Sequence, residues 1–204
     1  MKTWPLRVSI FNRILPDEPG KFGTVRSTDV HTGVDLYCER GTIVQAVEDG
    51  VVVAIEPFTG EWCPEPDTSP WWNNTAVIMV EDSTGVWAYG EVAPDSIRVK
   101  VGDRVLVGEE LARIDVPVLK TFKGRPMVML HFERYNNAPP TGASRTVWWK
   151  LGEPKPERLL DPSEELYAHS VGVFDLKTYD GVSYVDLSAP RKDSAYWEVW
   201  GGKP

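Results

Sequence analysis

The chain has 204 residues, 42% of them apolar and 25% charged, with a net charge of −8 and a pI near 5.0, which suits one well-buried domain with appendages, or at most two small ones. An acidic chain without a basic run lacks the electrostatic footprint of a nucleic-acid-binding protein, and no apolar run approaches the ~20 residues a helix needs to span a bilayer. At the start, Pro5, Arg7 and Asn12 interrupt any apolar h-region, so these residues do not read as a signal peptide.

In chain order, residues 6–15 alternate imperfectly and predict a first strand, broken by Pro16-Asp17-Glu18-Pro19-Gly20. A loop carrying Phe22-Gly23 and Arg26 leads into His31-Thr32-Gly33-Val34-Asp35. On a straight strand residues four apart lie ~13 Å from each other, too far to share one small ion, so Gly33 is expected to supply a bend in a loop that becomes a strand at Asp35. Cys38 is placed at the end of that strand and Cys63 in a loop. Their spacing makes no metal motif, and reduced thiols are expected. The β-branched runs at 41–47 and 51–55, joined at Glu48-Asp49-Gly50, predict a hairpin. A second hairpin is predicted from 75–80 and 86–89, and Gly-Asp and Gly-Glu turns divide 99–114 into further strand-sized pieces.

Residues 127–133 alternate with period 2, so Met127, Met129, His131 and Glu133 share one face while Val128, Leu130 and Phe132 point into a core. Two long segments, 57–74 and 136–157, carry the pairs Trp71-Trp72 and Trp148-Trp149. These indoles either wall a substrate groove or fold the loops onto the protein surface. The one amphipathic helix is expected at 161–166. The tail has alternating apolar character at 171–176 and 184–187 and ends in a dense aromatic stretch at 196–200, which suggests docking onto its own core or onto a partner. Short strands with tight turns predict an all-β fold.

Of three histidines, His31 and His131 lie in the two segments above, and His169 sits at the start of the tail as an ordinary surface or turn residue. Two imidazoles and a carboxylate are a common ligand set for zinc with an open position. His31-Thr32-Gly33-Val34-Asp35 and Leu130-His131-Phe132-Glu133 together resemble the lysostaphin-like (LytM-type) zinc endopeptidases of bacterial cell walls, and Leu160-Asp161-Pro162 resembles the closing Asp-Pro of that family. The resemblance implies an antiparallel β-sheet core with long loops and a β-rich C-terminal tail. It implies a division into an N-terminal strand and turn (1–21), the peptidase-type domain (22–167) and an aromatic tail (168–204). It also implies Zn2+ held by His31, Asp35 and His131.

The chain departs from the family at two places. Where the family has His-x-His the sequence reads Met129-Leu130-His131, and where it has Tyr-x-His-Leu the sequence reads Tyr89-Gly90-Glu91-Val92. Met129 can neither accept a proton nor stabilise an oxyanion. By period 2, Trp87, Tyr89 and Glu91 share a strand face, so Glu91 is a replacement general base, a fourth ligand that closes the metal site, or a plain surface carboxylate. The expected function is a zinc peptidase-type protein directed at peptidoglycan peptide cross-links, with altered and weak hydrolysis. The alternative is a non-hydrolytic, zinc-stabilised binding or structural module, for example a virion component. Expected partners are a peptidoglycan peptide or a protein, without nucleic acid or a membrane span. The expected location is virion-associated, or cytoplasmic until release, with action on the cell wall.

Overall fold

The computed structural model describes residues 2–9, 13–16, 19–63, 72–120, 128–136, 148–170, 172–174, 176–179 and 182–185. Its centre is a seven-stranded sheet of β2 (Val34–Tyr37), β4 (Gly50–Thr59), β5 (Thr75–Asp82), β6 (Gly85–Val92), β7 (Arg104–Val105), β9 (Met129–Tyr135) and β10 (Leu159–Leu160). Its order is β10-β9-β6-β5-β4-β7, every pairing antiparallel, and β2 shares with β10 the outer edge of β9. The tail contributes β11 (Gly172–Phe174) and the hairpin of β12 (Leu176–Tyr179) and β13 (Val182–Val185). The only α-helix among the described residues is α1 (Pro162–Leu166), started by the side chain of Asp161, which accepts from the Ser163 N–H at 2.9 Å. The expected all-β, antiparallel architecture is what the chain adopts. No helix among the described residues is long and apolar enough to cross a membrane.

Two apolar layers hold the sheet. Trp87, Tyr89, Leu130 and Phe132 lie in the larger one with Trp4, Leu6, Val44 and Ile114, and the Trp87 and Phe132 rings stack at 5.1 Å. Val77, Met79, Val86, Ala88 and Tyr135 form the smaller one on the other face. Strand β9 shows the predicted alternation, with Leu130 and Phe132 in the larger core and His131 and Glu133 opposite; Met127 lies outside the described residues.

Two local expectations are corrected. Residues 6–15 do not make one strand: Leu6 forms a single bridge to Val44, and β1 is Ile14–Pro16, pairing in parallel with β11. The 41–47 and 51–55 runs do not pair with each other. Instead β3 (Thr42–Gln45) pairs with β8 (Glu110–Ile114), while β4 pairs with β5 and β7. The turn chemistry at 48–50 was right for a reversal, but the apolar residues of β3 fit a different sheet. The second predicted hairpin is found as β5–β6, closed by Ser83-Thr84. Gly33 lies in the bend expected of it, and it is also needed for space: a Cβ there would stand 2.5 Å from the Phe132 carbonyl oxygen and 2.9 Å from both Glu133 Cγ and His131 Nε2. Both cysteines are buried.

Candidate metal centre and its carboxylate neighbour

Strand β2 lies antiparallel against β9 with Asp35 opposite His131, and His31 enters from the loop before β2. That loop is fixed at both ends. The His31 N–H donates to the Thr24 carbonyl at 2.9 Å, and the Val30 N–H donates to the Trp149 carbonyl at 2.8 Å. The result is a triangle of ligand atoms. His31 Nε2 lies 3.1 Å from Asp35 Oδ1 and 3.1 Å from His131 Nδ1, and His131 Nδ1 lies 3.0 Å from Asp35 Oδ1. All three residues are buried, and they form the metal-capable group among the described residues. Donors ~2.0–2.1 Å from a tetrahedral ion sit ~3.3 Å apart, so the triangle fits such an ion after an opening of a few tenths of an ångström.

The outer hydrogen bonds orient the rings for that purpose. His31 Nδ1 donates to the Lys21 carbonyl at 2.9 Å, leaving its Nε2 lone pair toward the centre. His131 Nε2 faces Glu133 Oε1 at 2.9 Å, leaving Nδ1 for the centre. Glu133 is in turn held by the hydroxyls of Thr32 and Tyr135, both at 2.5 Å. Arg26 approaches the second oxygen of Asp35 at 3.4 Å. Burial works against the Asp35 carboxylate, but His31 and His131 outweigh it and hold the group well below the usual range. Burial also opposes charge on His131, yet Asp35 and Glu133 push its pKa up to about 10.

Glu91 reaches this neighbourhood by a route that differs from the expected one. Trp87 and Tyr89 face the larger core, away from His131, and simple alternation would send Glu91 with them. A β-bulge intervenes, since Ala76 pairs with Val92 but Ile78 pairs with Tyr89. Glu91 has φ 64°, the only positive value on a non-glycine residue among those described, a conformation that costs ~1–2 kcal/mol. Gly90 makes room there, its missing Cβ being filled by the Phe58 ring, which also packs 5.4 Å from the His131 ring. Glu91 is 4% exposed, so it is not a surface carboxylate. It is not one of the three residues whose ligand atoms lie together. Its Oε2 accepts from Thr75 Oγ1 at 2.8 Å and Thr59 Oγ1 at 3.2 Å. Burial pushes its pKa up to about 7 against the bonds from Thr75 and Thr59 and the field of His131, with Asp35 adding to the rise.

Met129 is buried beside the Tyr37 position of β2, making that part of the site apolar. Trp72 bridges Leu119 and is 38% exposed, while Trp148 is 49% exposed. Trp149 packs on Phe22 with ring centroids 6.0 Å apart, and Trp71 lies outside the described residues. His169 sits in a short 3-10 turn and takes no part in the ligand group. Sequence reasoning missed Thr59, Thr75, Phe58 and the Lys21 carbonyl, for which no local pattern exists. The orienting role of Glu133 could have been read from its shared face with His131.

Residues 29–142 match the model of Peptidase family M23. No curated protein matches the chain. Among solved structures, the catalytic domain of the antimicrobial peptidase lysostaphin from Staphylococcus simulans is 20% identical, over 72% of this chain and 89% of that one, with a TM-score of 0.46. A CbpA structure from L. salivarius REN is 19% identical over 83% and 96% of the two chains, TM-score 0.48. The catalytic domain of a prophage-encoded M23 protein, EnpA, from Enterococcus faecalis is 19% identical over 74% and 88%, TM-score 0.42.

Proposed function

Since the chain belongs to peptidase family M23, we propose that it is a zinc-dependent peptidase-type protein directed at the peptide cross-links of bacterial peptidoglycan, with Glu91 as its proton-transfer group. The observation that carries this reading is the His31–Asp35–His131 triangle, whose edges of 3.0–3.1 Å suit one tetrahedral ion. Zinc held by His31 Nε2, Asp35 Oδ1 and His131 Nδ1 would supply Lewis-acid polarisation of a carbonyl. Lys21 and Glu133 keep the two imidazoles in the ligating tautomers. Glu91 is a carboxyl group that can take a proton from an attacking water and return it to the departing amine nitrogen. A carboxyl pKa near 7 suits both halves of that exchange at neutral pH.

Met129 supplies no such chemistry, so one of the two proton-handling places that the family fills with histidine is empty of function. Hydrolysis is accordingly slow, since each such group contributes typically 10²–10⁴-fold. The same apolar wall favours the second reading, a domain that binds the wall peptide without cutting it.

The test is zinc content after purification without added metal, together with release of new amino groups from purified sacculi and from short glycine- or diaminopimelate-containing peptides. Expected are one zinc per chain, its loss in His131→Ala, and slow chelator-sensitive cleavage. Glu91→Gln should keep the zinc and lower turnover by about 10²-fold or more. Full zinc content in His131→Ala would overturn the ligand assignment. Binding without cleavage, unchanged by restoring histidines at positions 91 and 129, would select the non-hydrolytic reading.

A further inference from the structure

Thr59 closes β4 and Thr75 opens β5, and they face one another across the pair. Both are almost completely buried, at 4% and 0% exposed, although a hydroxyl in the interior has to find partners. Their oxygens are 2.6 Å apart, and both converge on the same oxygen of Glu91, at 3.2 and 2.8 Å. Thr59 Oγ1 is also within 3.0 Å of the Asn73 carbonyl.

The backbones of the same two threonines are tied together from outside. The indole N–H of Trp62 donates to the carbonyls of Thr59 at 2.8 Å and Thr75 at 3.1 Å. Next to it, Glu61 is paired with Lys120 at 2.6 Å, which anchors this corner to the 115–120 loop. The corner is therefore fixed from both sides, and it grips a residue whose backbone is held in the left-handed region. Strained positions of this kind persist only where the surroundings over-determine them, and they gather at working sites.

From this geometry we infer that Thr59 and Thr75 are positioning residues for Glu91, anchoring Oε2 and so fixing where the carboxyl group sits, with Trp62 as the bracket that sets the spacing of the two hydroxyls. The inference rests on the reading of Glu91 as the proton-transfer group. The pair suits a carboxylate: Thr75 donates its one proton to Oε2, and Thr59, whose own proton is shared among the Thr75 hydroxyl, the Asn73 carbonyl and Oε2, supports it from behind. The arrangement follows from the bulge and the two strand ends of this chain.

The experiment uses the zinc-loaded full chain and the variants Thr75→Val, Thr59→Val, Thr75→Ser and Glu91→Gln. The 13C resonance of the Glu91 carboxyl, assigned by its disappearance in Glu91→Gln, is followed against pH. Removing a donor that favours the charged form should move the midpoint upward in Thr75→Val, less so in Thr59→Val with its longer contact, and Thr75→Ser should restore it. Where cleavage is measurable, Thr75→Val should lower kcat about 10-fold with KM and zinc content unchanged, as expected for a hydrogen bond to a charged group. The same change made in the Glu91→Gln background should have no further effect on kcat.

An unmoved titration in both valine variants overturns the inference, and so does a kcat loss that persists in the Glu91→Gln background. The titration needs no turnover, so a protein that never cleaves refutes the peptidase reading while the clamp is still decided by the carboxyl midpoint. If Thr75→Val fails to fold, Thr59→Val and Thr75→Ser carry the same comparison.

Discussion

At the scale of single residues, the centre depends on side chains that are neither ligand nor acid. Gly33 does more than supply the bend expected between His31 and Asp35: its place is also dictated by the Phe132 carbonyl and the Glu133 and His131 side chains packed against its Cα. Only the neighbouring strand could reveal that, and the neighbour lies about a hundred positions away. His131 has a consequence that can be measured. With its pKa pushed up to about 10 by Asp35 and Glu133, it should carry a proton at neutral pH, and an ion held through Nδ1 as proposed would have to displace that proton. Calorimetry at pH 7 in buffers of different ionisation enthalpy should report about one proton released per ion bound, with affinity rising as pH rises. Binding heats independent of the buffer would contradict a protonated His131.

At the scale of elements, β9 does two jobs on its two faces. His131 and Glu133 serve the centre, while Arg134 lies 4.1 Å over the Trp87 ring and pairs with Asp82 at 3.1 Å. Burial opposes the charge on Asp82, but bonds from the hydroxyl and N–H of Thr84 and from Arg134 outweigh it and bring its pKa down to about 2. Its folded value therefore lies below the unfolded value of ~3.9, so the stabilisation is fully present above pH ~4 and is lost as pH falls toward 2. A contribution of roughly 1–2 kcal/mol follows once partial solvent screening is allowed for. Urea denaturation at pH 6 and pH 2.5 should show Asp82→Asn less stable than the native protein at pH 6, with most of that gap closed in acid. A gap that stays constant with pH would mean that the Arg134 pair contributes nothing through charge. The alternation of β9 was legible because one face is uniformly apolar. The turn of β6 at Glu91 was not, although a glycine inside a strand, Gly90, is the usual mark of a bulge. The hairpin expected at 48–50 failed because turn residues identify a reversal without identifying the partner strand.

At the scale of the molecule, much of the architecture was readable from short β-branched runs, and the trio proposed as ligands was picked out by its resemblance to a family with those motifs. What the sequence withheld was the set of contacts made across the sheet, such as Thr59 and Thr75 meeting Glu91, because nothing local encodes them. The pairing of β2 with β9 brings together residues 96 positions apart in sequence, Asp35 and His131. Contacts of that span close late, since loop closure must be met before they reward it. The ligand triangle should therefore be absent from the rate-limiting state of folding. A bound ion would then act as a brake on the exit from the native state. Stopped-flow jumps with and without chelator should show unfolding slowed several-fold by zinc while the refolding rate stays the same. Refolding accelerated by zinc would place the β2–β9 pairing in the nucleus, making the ion a guide to folding as well as a lock on its product.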